Sequence, residues 1–290
     1  MGKSVTTVED QIARLHERGM TLDLKEEKVK EILLDIGYYR LGFYWNPFEI
    51  DKAHNFKQGT KFSDALDLYY LDVDLRHLLL KYLNRIEIHF TTQLIYFVSN
   101  HYKHSSTWFA DPEVVTRWWL DSLDKYYDDK FKRNNKVIKE HHLKYINHKY
   151  APAWKTLEFF SFGNILTLYK SLKSDDCKKL ISNNYNIRNL KTFTSYLTTL
   201  LTLRNLCAHG GQLFDFQTPK GIPNIPALKL KGDERHSLSG VCQLIYYFLD
   251  QVSLNRRKEL EKSIELLLAE SAKNETIKEI IRTKMHFISV

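Results

Sequence analysis

Residues 62–100 read FSDALDLYYLDVDLRHLLLKYLNRIEIHFTTQLIYFVSN, and this stretch decides the fold. Its large apolar side chains recur every three or four residues, which is the spacing of an α-helix with one buried face. They are Leu75, Leu78, Leu79, Tyr82, Leu83, Ile86, Phe90, Leu94 and Phe97. The pattern predicts a short helix that runs into a long one.

Two shorter helices are predicted before this stretch. Residues 8–18 and 25–36 each carry apolar side chains at helical spacing, and Gly37 is expected to end the second helix. Residues 37–50 then read GYYRLGFYWNPFEI, with aromatic rings crowded around glycines and a proline. Two interpretations stay open. The segment is a buried aromatic turn that joins two helices, or it is a stacking surface for nucleic-acid bases in which Arg40 supplies the cation.

The second half of the chain is also predicted to be helical. One helix is expected over residues 153–172 and another over residues 188–208, with Gly210 and Gly211 ending the latter. A loop with three prolines follows. The last predicted helices cover residues 238–250, 255–271 and 275–287.

The composition agrees with an all-α fold. The 290 residues include only 11 Gly and 6 Pro, which are too few for a loop-rich β-sandwich or barrel. Hydrophobic residues make up 43% of the chain, so it can form a packed core and disorder is not expected. We expect an N-terminal helical extension at residues 1–60 and a helical domain at residues 61–290.

The charge balance suggests a polyanionic partner. The chain has 43 Lys and Arg against 35 Asp and Glu, a net charge of +8, which favours nucleic acid or a membrane surface. Three scattered cysteines fit a reducing cytoplasm and neither a disulfide framework nor a zinc site. No apolar run is long enough to predict a membrane span. Gly2 and Thr6 match a loose N-myristoylation pattern, which we interpret as chance.

The most basic segment spans residues 125–149, where Lys and Arg alternate with tyrosines and a phenylalanine. Basic side chains interleaved with aromatic rings are typical of surfaces that bind single-stranded nucleic acid. A solvated charged face is the other interpretation. The candidates for RNA contact in this segment are Lys130, Lys132, Arg133 and Lys136.

The residues with the most chemistry lie at the end of a predicted helix, in the sequence LRNLCAHG at 203–210. Asn205 and His209 are four residues apart, so they share a helical face, and the long side chain of Arg204 can reach the same space. An imidazole can move a proton near neutral pH, and a guanidinium can hold phosphate oxygens. This set suits RNA cleavage without a metal, because the ribose 2′-hydroxyl is itself the nucleophile.

One histidine cannot easily act as both base and acid in a single step. Two copies of the motif that face each other across a two-fold axis would supply both groups, which implies a homodimer. The alternative is a structural role, in which Arg204 and His209 merely favour the negative end of the helix dipole. The spacing alone does not decide between the two.

The segment RNLCAHGGQLFDF, residues 204–216, resembles the signature of the AbiD/AbiF-type abortive-infection family of bacterial phage-resistance proteins. That family belongs to the HEPN superfamily. Other stretches resemble the family in the same order along the chain: residues 11–23 followed by 36–49, then 62–90 and 153–169. The chain departs from many members at Gln212, where they carry a second basic residue, so a further phosphate contact there is in doubt.

The resemblance implies an all-α HEPN bundle whose Arg-x4-His residues pair at a dimer interface and often form a metal-independent ribonuclease. It carries over Arg204, Asn205 and His209 as catalytic residues, and it suggests that Arg85 and Glu87 border the site. Some relatives are associated with a small noncoding RNA, so a stable RNA partner is also implied.

Three hypotheses follow from these observations. The first is a homodimeric ribonuclease of phage defence that needs no cofactor. The second is an RNA-binding module that holds a structured RNA without cutting it, and the third is a helical adaptor for another protein. We expect no metal site, since His141, His142 and His148 lack a carboxylate or cysteine partner at ligand spacing. Cys207 is expected to fill the core.

Overall fold

The computed structural model describes residues 5–288, and the fold over that range is all-α, as predicted. Its β-pairing is limited to isolated bridges. The N-terminal helices are α1 (Val8–Glu17), α2 (Glu26–Ile32) and α3 (Tyr38–Trp45). The other helices are α4 (Phe62–His101), α5 (Arg117–Tyr126), α6 (Asp129–Asn134), α7 (Lys136–Lys144), α8 (Ala153–Thr156), α9 (Phe162–Ser171), α10 (Asp175–Asn183), α11 (Leu190–Ala208), α12 (Leu238–Val252), α13 (Leu254–Ser271) and α14 (Glu275–Thr283).

Helix α4 is the central element of the fold. It runs without a break for 40 residues, about 60 Å, so the predicted division into a short and a long helix is wrong. No Gly or Pro occurs in residues 62–101, and nothing interrupts the backbone hydrogen bonds. Helices α3, α10, α11, α12 and α13 pack around it. The predicted positions Leu75, Leu79, Ile86 and Phe90 are fully buried, and each contributes about 1.5–3 kcal/mol relative to an exposed side chain.

The aromatic segment at residues 37–50 is mostly a helix rather than a turn. Helix α2 passes through a π-helical turn, Leu33–Gly37, directly into α3, so Gly37 redirects the chain without ending its helical course. Its φ of +91° is an angle that glycine adopts without strain. Tyr44 and Trp45 are buried in the core, whereas Tyr39 is 80% exposed. The segment therefore has both a buried face and an open one.

The helices in the middle of the chain are shorter and more numerous than the sequence predicts. The single helix expected over residues 153–172 is divided, because Phe160 and Ser161 are extended and the Ser161 hydroxyl caps the new start at α9. Helices α5, α6, α7 and α10 were not predicted. The three predicted C-terminal helices correspond to α12, α13 and α14.

One hydrophobic core includes residues from both predicted parts of the chain. Leu41 and Tyr44 of α3 belong to the same buried cluster as Leu75 of α4 and Leu203 of α11. Contacts therefore cross the expected boundary at residue 60. None of the described helices combines the length and the apolar character that crossing a bilayer requires. The myristoylation pattern includes Gly2, which lies outside the described residues.

Candidate functional site

The Arg-Asn-His motif lies at the C-terminal end of α11. Asn189 caps the start of this helix, and His209 is the first residue past its end. The amide of Gly210 donates to the carbonyl of Cys207 (3.4 Å) and the amide of Gly211 to that of Leu206 (2.8 Å). This pair of bonds is a Schellman motif, which requires the left-handed conformation that Gly210 adopts at a φ of +69°. The helix therefore ends abruptly beside its histidine.

Arg204 occupies a partly open position with two partners. Its Nε donates to Oε2 of Glu87 on α4 at 3.1 Å, and its Nη1 donates to Oδ1 of Asn205 at 3.3 Å. The side chain is 29% exposed, and its other N–H groups remain available to a ligand. Arg204 borders a cleft of about 270 Å³. The other lining residues are Asn84, Glu87, Ile88, Thr91, Glu158 and Phe160.

His209 is exposed, and its imidazole makes no hydrogen bond to any described residue. Asn205 links His209 to Arg204, because Asn205 accepts a hydrogen bond from Arg204 and lies one turn before His209. An exposed and unpartnered imidazole is accessible to a bound substrate. The three predicted residues thus lie together at one open end of a helix.

Buried charges hold the loop that follows His209. Both oxygens of Asp72 on α4 accept backbone hydrogen bonds, Oδ2 from the amide of Leu213 and Oδ1 from that of Phe214, each at 2.8 Å. Arg76 pairs with Asp72 at 2.9 Å and donates to the carbonyl of Gly211 at 3.0 Å. The hydroxyl of Tyr44 completes this loop clamp with a bond to Asp72 of 3.0 Å.

The loop clamp depends on an ionised carboxylate. Burial raises the pKa of Asp72 to about 6, although the hydrogen bonds and the nearby guanidinium act in the opposite direction. At neutral pH the carboxylate is still mostly charged and can accept all of its bonds. Burial also raises the pKa of the Cys207 thiol, to about 12, so this cysteine is protonated and unsuited to nucleophilic attack.

Two of the predicted RNA-binding residues lie at this end of α11. Arg40 donates from Nη1 to the carbonyl of Gly210 at 3.3 Å, and the exposed rings of Tyr39 and Phe43 meet edge to face beside it on α3 (centroids 5.1 Å apart). Glu87 is the partner of Arg204. Arg85 is half-buried on α4, and its Nε has no hydrogen-bond partner among the described residues.

The basic segment packs against Phe160, which also lines the cleft beside Arg204. Phe131 of α6 packs between Tyr127 and Phe160, with ring centroids 5.1 and 5.5 Å away. These rings fill space in the interior, so they are not free to stack on bases. Lys132 forms an ion pair with Asp129, and Lys136 forms one with Glu140. Lys130 and Arg133 are exposed on α6 and have no acidic partner among the described residues.

The three histidines of the same segment form a small cluster without carboxylates. Nδ1 of His148 and Nε2 of His141 are 3.3 Å apart, and His142 bonds through Nε2 to the hydroxyl of Tyr127 at 2.9 Å. Burial lowers the pKa of His141 and His142. In residues 5–288, no group of three or more His, Cys, Asp or Glu side chains has a geometry that could hold a metal ion.

Sequence analysis missed the loop clamp. Asp72 and Arg76 are four residues apart within the apolar run of α4, and charges at helical spacing inside such a run are the available signal. The signal does not say which segment these charges hold.

Comparison with known proteins places the chain in a family. The family model for Abi-like protein matches residues 31–215, more than half of the chain, from α2 to the end of the clamped loop. No curated protein and no solved structure matches the chain. The match includes Glu87, Arg204, Asn205 and His209. This chain belongs to the Abi-like family, and that membership suggests a part in abortive infection, a bacterial defence against phage.

Proposed function

We propose that this chain is a metal-independent endoribonuclease of the HEPN type that acts as a homodimer in phage defence, in the cytoplasm. The observation that carries the proposal is the placement of Arg204, Asn205 and His209 together at the open end of α11. The family membership supports the biological role. The positive charge of the chain supports an RNA substrate, with a small noncoding RNA as a further partner.

The proposed reaction uses the RNA's own ribose. His209 of one subunit takes the proton of the 2′-hydroxyl, whose oxygen attacks the adjacent phosphorus. The bond from phosphorus to the 5′ oxygen breaks, and the protonated His209 of the other subunit donates a proton to that oxygen. The products are a 2′,3′-cyclic phosphate and a 5′-hydroxyl. Arg204 stabilises the extra charge on the phosphorane, and Asn205 keeps Arg204 in position.

The environment of the site suits a bound RNA strand. The aromatic pair of Tyr39 and Phe43 is open to solvent beside Arg40, and bases stack on such rings. Arg40 reaches the loop next to His209 through the carbonyl of Gly210. This geometry supports the stacking interpretation of the open face of α3, while the buried face serves the core. Lys130 and Arg133 would add affinity beyond Phe160.

The chemistry of the cleaved ends tests this function. Purified wild-type protein is incubated with total bacterial RNA, and the new ends are mapped. We expect 2′,3′-cyclic phosphate and 5′-hydroxyl ends. Ends with a 5′-phosphate would contradict attack by the ribose hydroxyl, and uncut RNA would contradict the nuclease proposal itself.

Removal of divalent metal ions is expected to leave cleavage unchanged. The proposed step needs an imidazole and a guanidinium, and a two-metal nuclease would instead lose its activity. The measurement is the rate of RNA cleavage with and without excess EDTA. A matched reaction with EDTA followed by excess Mg²⁺ is the control. A loss of activity that Mg²⁺ restores would show that the mechanism is wrong.

The second candidate function is an RNA-binding module that does not cut. The ion pair between Arg204 and Glu87 favours it, because a guanidinium that already faces a carboxylate stabilises a phosphate less. In this function the protein holds a structured RNA. Sequencing the RNA that co-purifies with wild-type and His209→Ala protein separates the two functions: an identical, intact RNA species in both samples favours the binding module.

Glu87→Gln is expected to strengthen RNA binding about threefold to fivefold, roughly 0.7–1 kcal/mol for a partly exposed charge. The amide oxygen still accepts from Arg204, while the negative charge near the phosphate is lost. The measurement is the Kd for a labelled single-stranded RNA in a His209→Ala background. Glu261→Gln is the control, since Glu261 pairs with Arg257 on α13. Weaker binding by the Glu87 variant would contradict the expected role.

A further inference from the structure

A groove lies along α11, on the N-terminal side of the candidate site. Its volume is about 770 Å³. The floor is formed by hydroxyl side chains of α11, and the walls come from α9, α10 and the loop after Phe216. The hydroxyl residues are Thr194, Ser195, Thr198, Thr199 and Thr202. Neither the sequence motif nor the proposed cleavage reaction uses this groove.

The groove carries an excess of positive charge. Four lysines line it, and they are Lys170, Lys178, Lys191 and Lys220. The one acidic lining residue, Asp175, pairs with Lys178 at 3.3 Å. The other three have no acidic partner among the described residues, and Lys170 donates only to the hydroxyl of Thr198 at 3.3 Å. Three ammonium groups without counterions favour an anionic occupant.

The groove floor leads to the candidate active site. At 100° per residue, Thr194, Thr198, Thr202, Asn205 and His209 lie within about 80° of one another around the helix axis. They extend over about 22 Å at 1.5 Å per residue. A linear ligand that follows this stripe therefore arrives at the imidazole of His209. A small compact anion would occupy only part of a stripe of this length.

The hydroxyls of the floor present acceptors to the groove. Thr198 donates its hydroxyl proton to the carbonyl of Thr194 (2.8 Å), and Thr202 donates to the carbonyl of Thr198 (2.9 Å). The oxygen of Thr202 then keeps both lone pairs as acceptors, and that of Thr198, which accepts from Lys170, keeps one. A ribose 2′-hydroxyl is a donor that DNA lacks. The lysine ammonium groups act as point charges, so they can bind the phosphates of the same strand.

We propose that this groove holds a single strand of RNA on one side of the bond that is cut. Lys170, Lys191 and Lys220 contact its phosphates, and the threonine row accepts from its 2′-hydroxyls. The inference rests on the proposed function, since it identifies the path by which the substrate reaches His209. In the homodimer, each subunit supplies one groove that leads away from the shared centre.

The test compares two triple variants in a His209→Ala background, so that the probe stays intact. The groove variant is Lys170→Gln, Lys191→Gln and Lys220→Gln. The control variant is Lys52→Gln, Lys258→Gln and Lys262→Gln, which removes the same charge from exposed lysines outside the groove that have no ion pairs among the described residues. The probe is a fluorescein-labelled single-stranded RNA of about 16 nucleotides and random sequence. Kd is measured by anisotropy at several salt concentrations.

The groove variant is expected to bind at least about tenfold more weakly than its parent near physiological salt. The slope of log K against log salt should fall in magnitude by about 2, since three phosphate contacts on a single strand are lost. The control variant should keep most of the slope and affinity. Equal losses in both variants would overturn the proposal, because they would indicate a general charge effect.

Two further measurements distinguish the groove proposal from the nuclease proposal. A DNA strand of the same composition is expected to bind the parent protein more weakly than RNA, and equal binding would overturn the role of the threonine row. Cleavage of RNA by wild-type protein decides the nuclease separately. If wild-type protein cuts RNA but the groove variant binds RNA as tightly as its parent, the groove proposal is wrong and the nuclease proposal stands. If the groove variant binds RNA more weakly but wild-type protein does not cut RNA, the groove proposal is supported and the nuclease proposal is wrong.

Discussion

His209→Ala is expected to lower the rate of RNA cleavage about 10²–10⁴-fold, the range for loss of a positioned proton donor or acceptor. The imidazole is exposed and unpartnered, so its removal leaves no buried group unsatisfied and the fold intact. The measurement is the initial rate of cleavage of a labelled RNA at saturating concentration. His16→Ala, at an exposed position on α1, is the matched control and should keep full activity.

Arg204 provides a second test of the same mechanism. Arg204→Ala should lower the rate about 10²–10³-fold, as removal of a transition-state donor does. Arg204→Lys is not expected to rescue it, because the lysine ammonium is a single point charge without the planar fork from which a guanidinium bonds to several partners through separate nitrogens. Normal cleavage by either alanine variant would contradict the assignment of this motif to catalysis.

A mixing experiment tests whether two subunits share one centre. Wild-type and His209→Ala chains are co-expressed in equal amounts and purified together. If each dimer needs both imidazoles, only fully wild-type dimers cut, and about a quarter of the activity remains. Independent subunits would retain about half. A value near one half would contradict the shared centre.

Asp72→Ala is expected to lower the free energy of unfolding by about 3–5 kcal/mol. The change leaves the guanidinium of Arg76 buried without its carboxylate and the amides of Leu213 and Phe214 without their acceptor. Loss of a buried charge partner is among the few single changes that act on this scale. Urea unfolding followed by circular dichroism measures the effect.

Two milder variants serve as controls for the clamp. Asp72→Asn keeps an oxygen acceptor but loses the charge, so its effect should fall between that of Asp72→Ala and wild type. Tyr44→Phe removes two hydrogen bonds, the one donated to Asp72 and the one accepted from Arg76, and should cost about 2 kcal/mol. If Asp72→Ala unfolded at the same urea concentration as wild type, the clamp would not stabilise the loop.

The sequence predicts the parts of this fold that depend on local spacing. The period of the apolar residues predicts α4 and most of α11, and two glycines predict the end of α11 beside His209. The grouping of Asn205 and His209 follows from the same geometry, because positions four residues apart share a helical face. Arg204 joins them because its side chain is long enough to reach that face from the neighbouring position.

The sequence does not predict contacts between distant segments. The partners of Arg204 and of the loop after it are Glu87 and Asp72, more than 110 residues earlier, and no period connects them. The aromatic segment was misjudged for a related reason. Its glycines and proline suggest a turn, but packing of Tyr44 and Trp45 against the core stabilises α3 as a helix.

The position of α4 in the chain has a consequence for how this protein is made. The ribosome releases α4 early, yet α11, α12 and α13, which cover it, come from residues 190–271. A nascent chain therefore exposes the apolar face of α4, which is a target for chaperones, until those helices have been made. The Arg-Asn-His end of α11 takes its final surroundings only after residues 190–214 have followed α4, so shorter nascent chains lack an assembled centre.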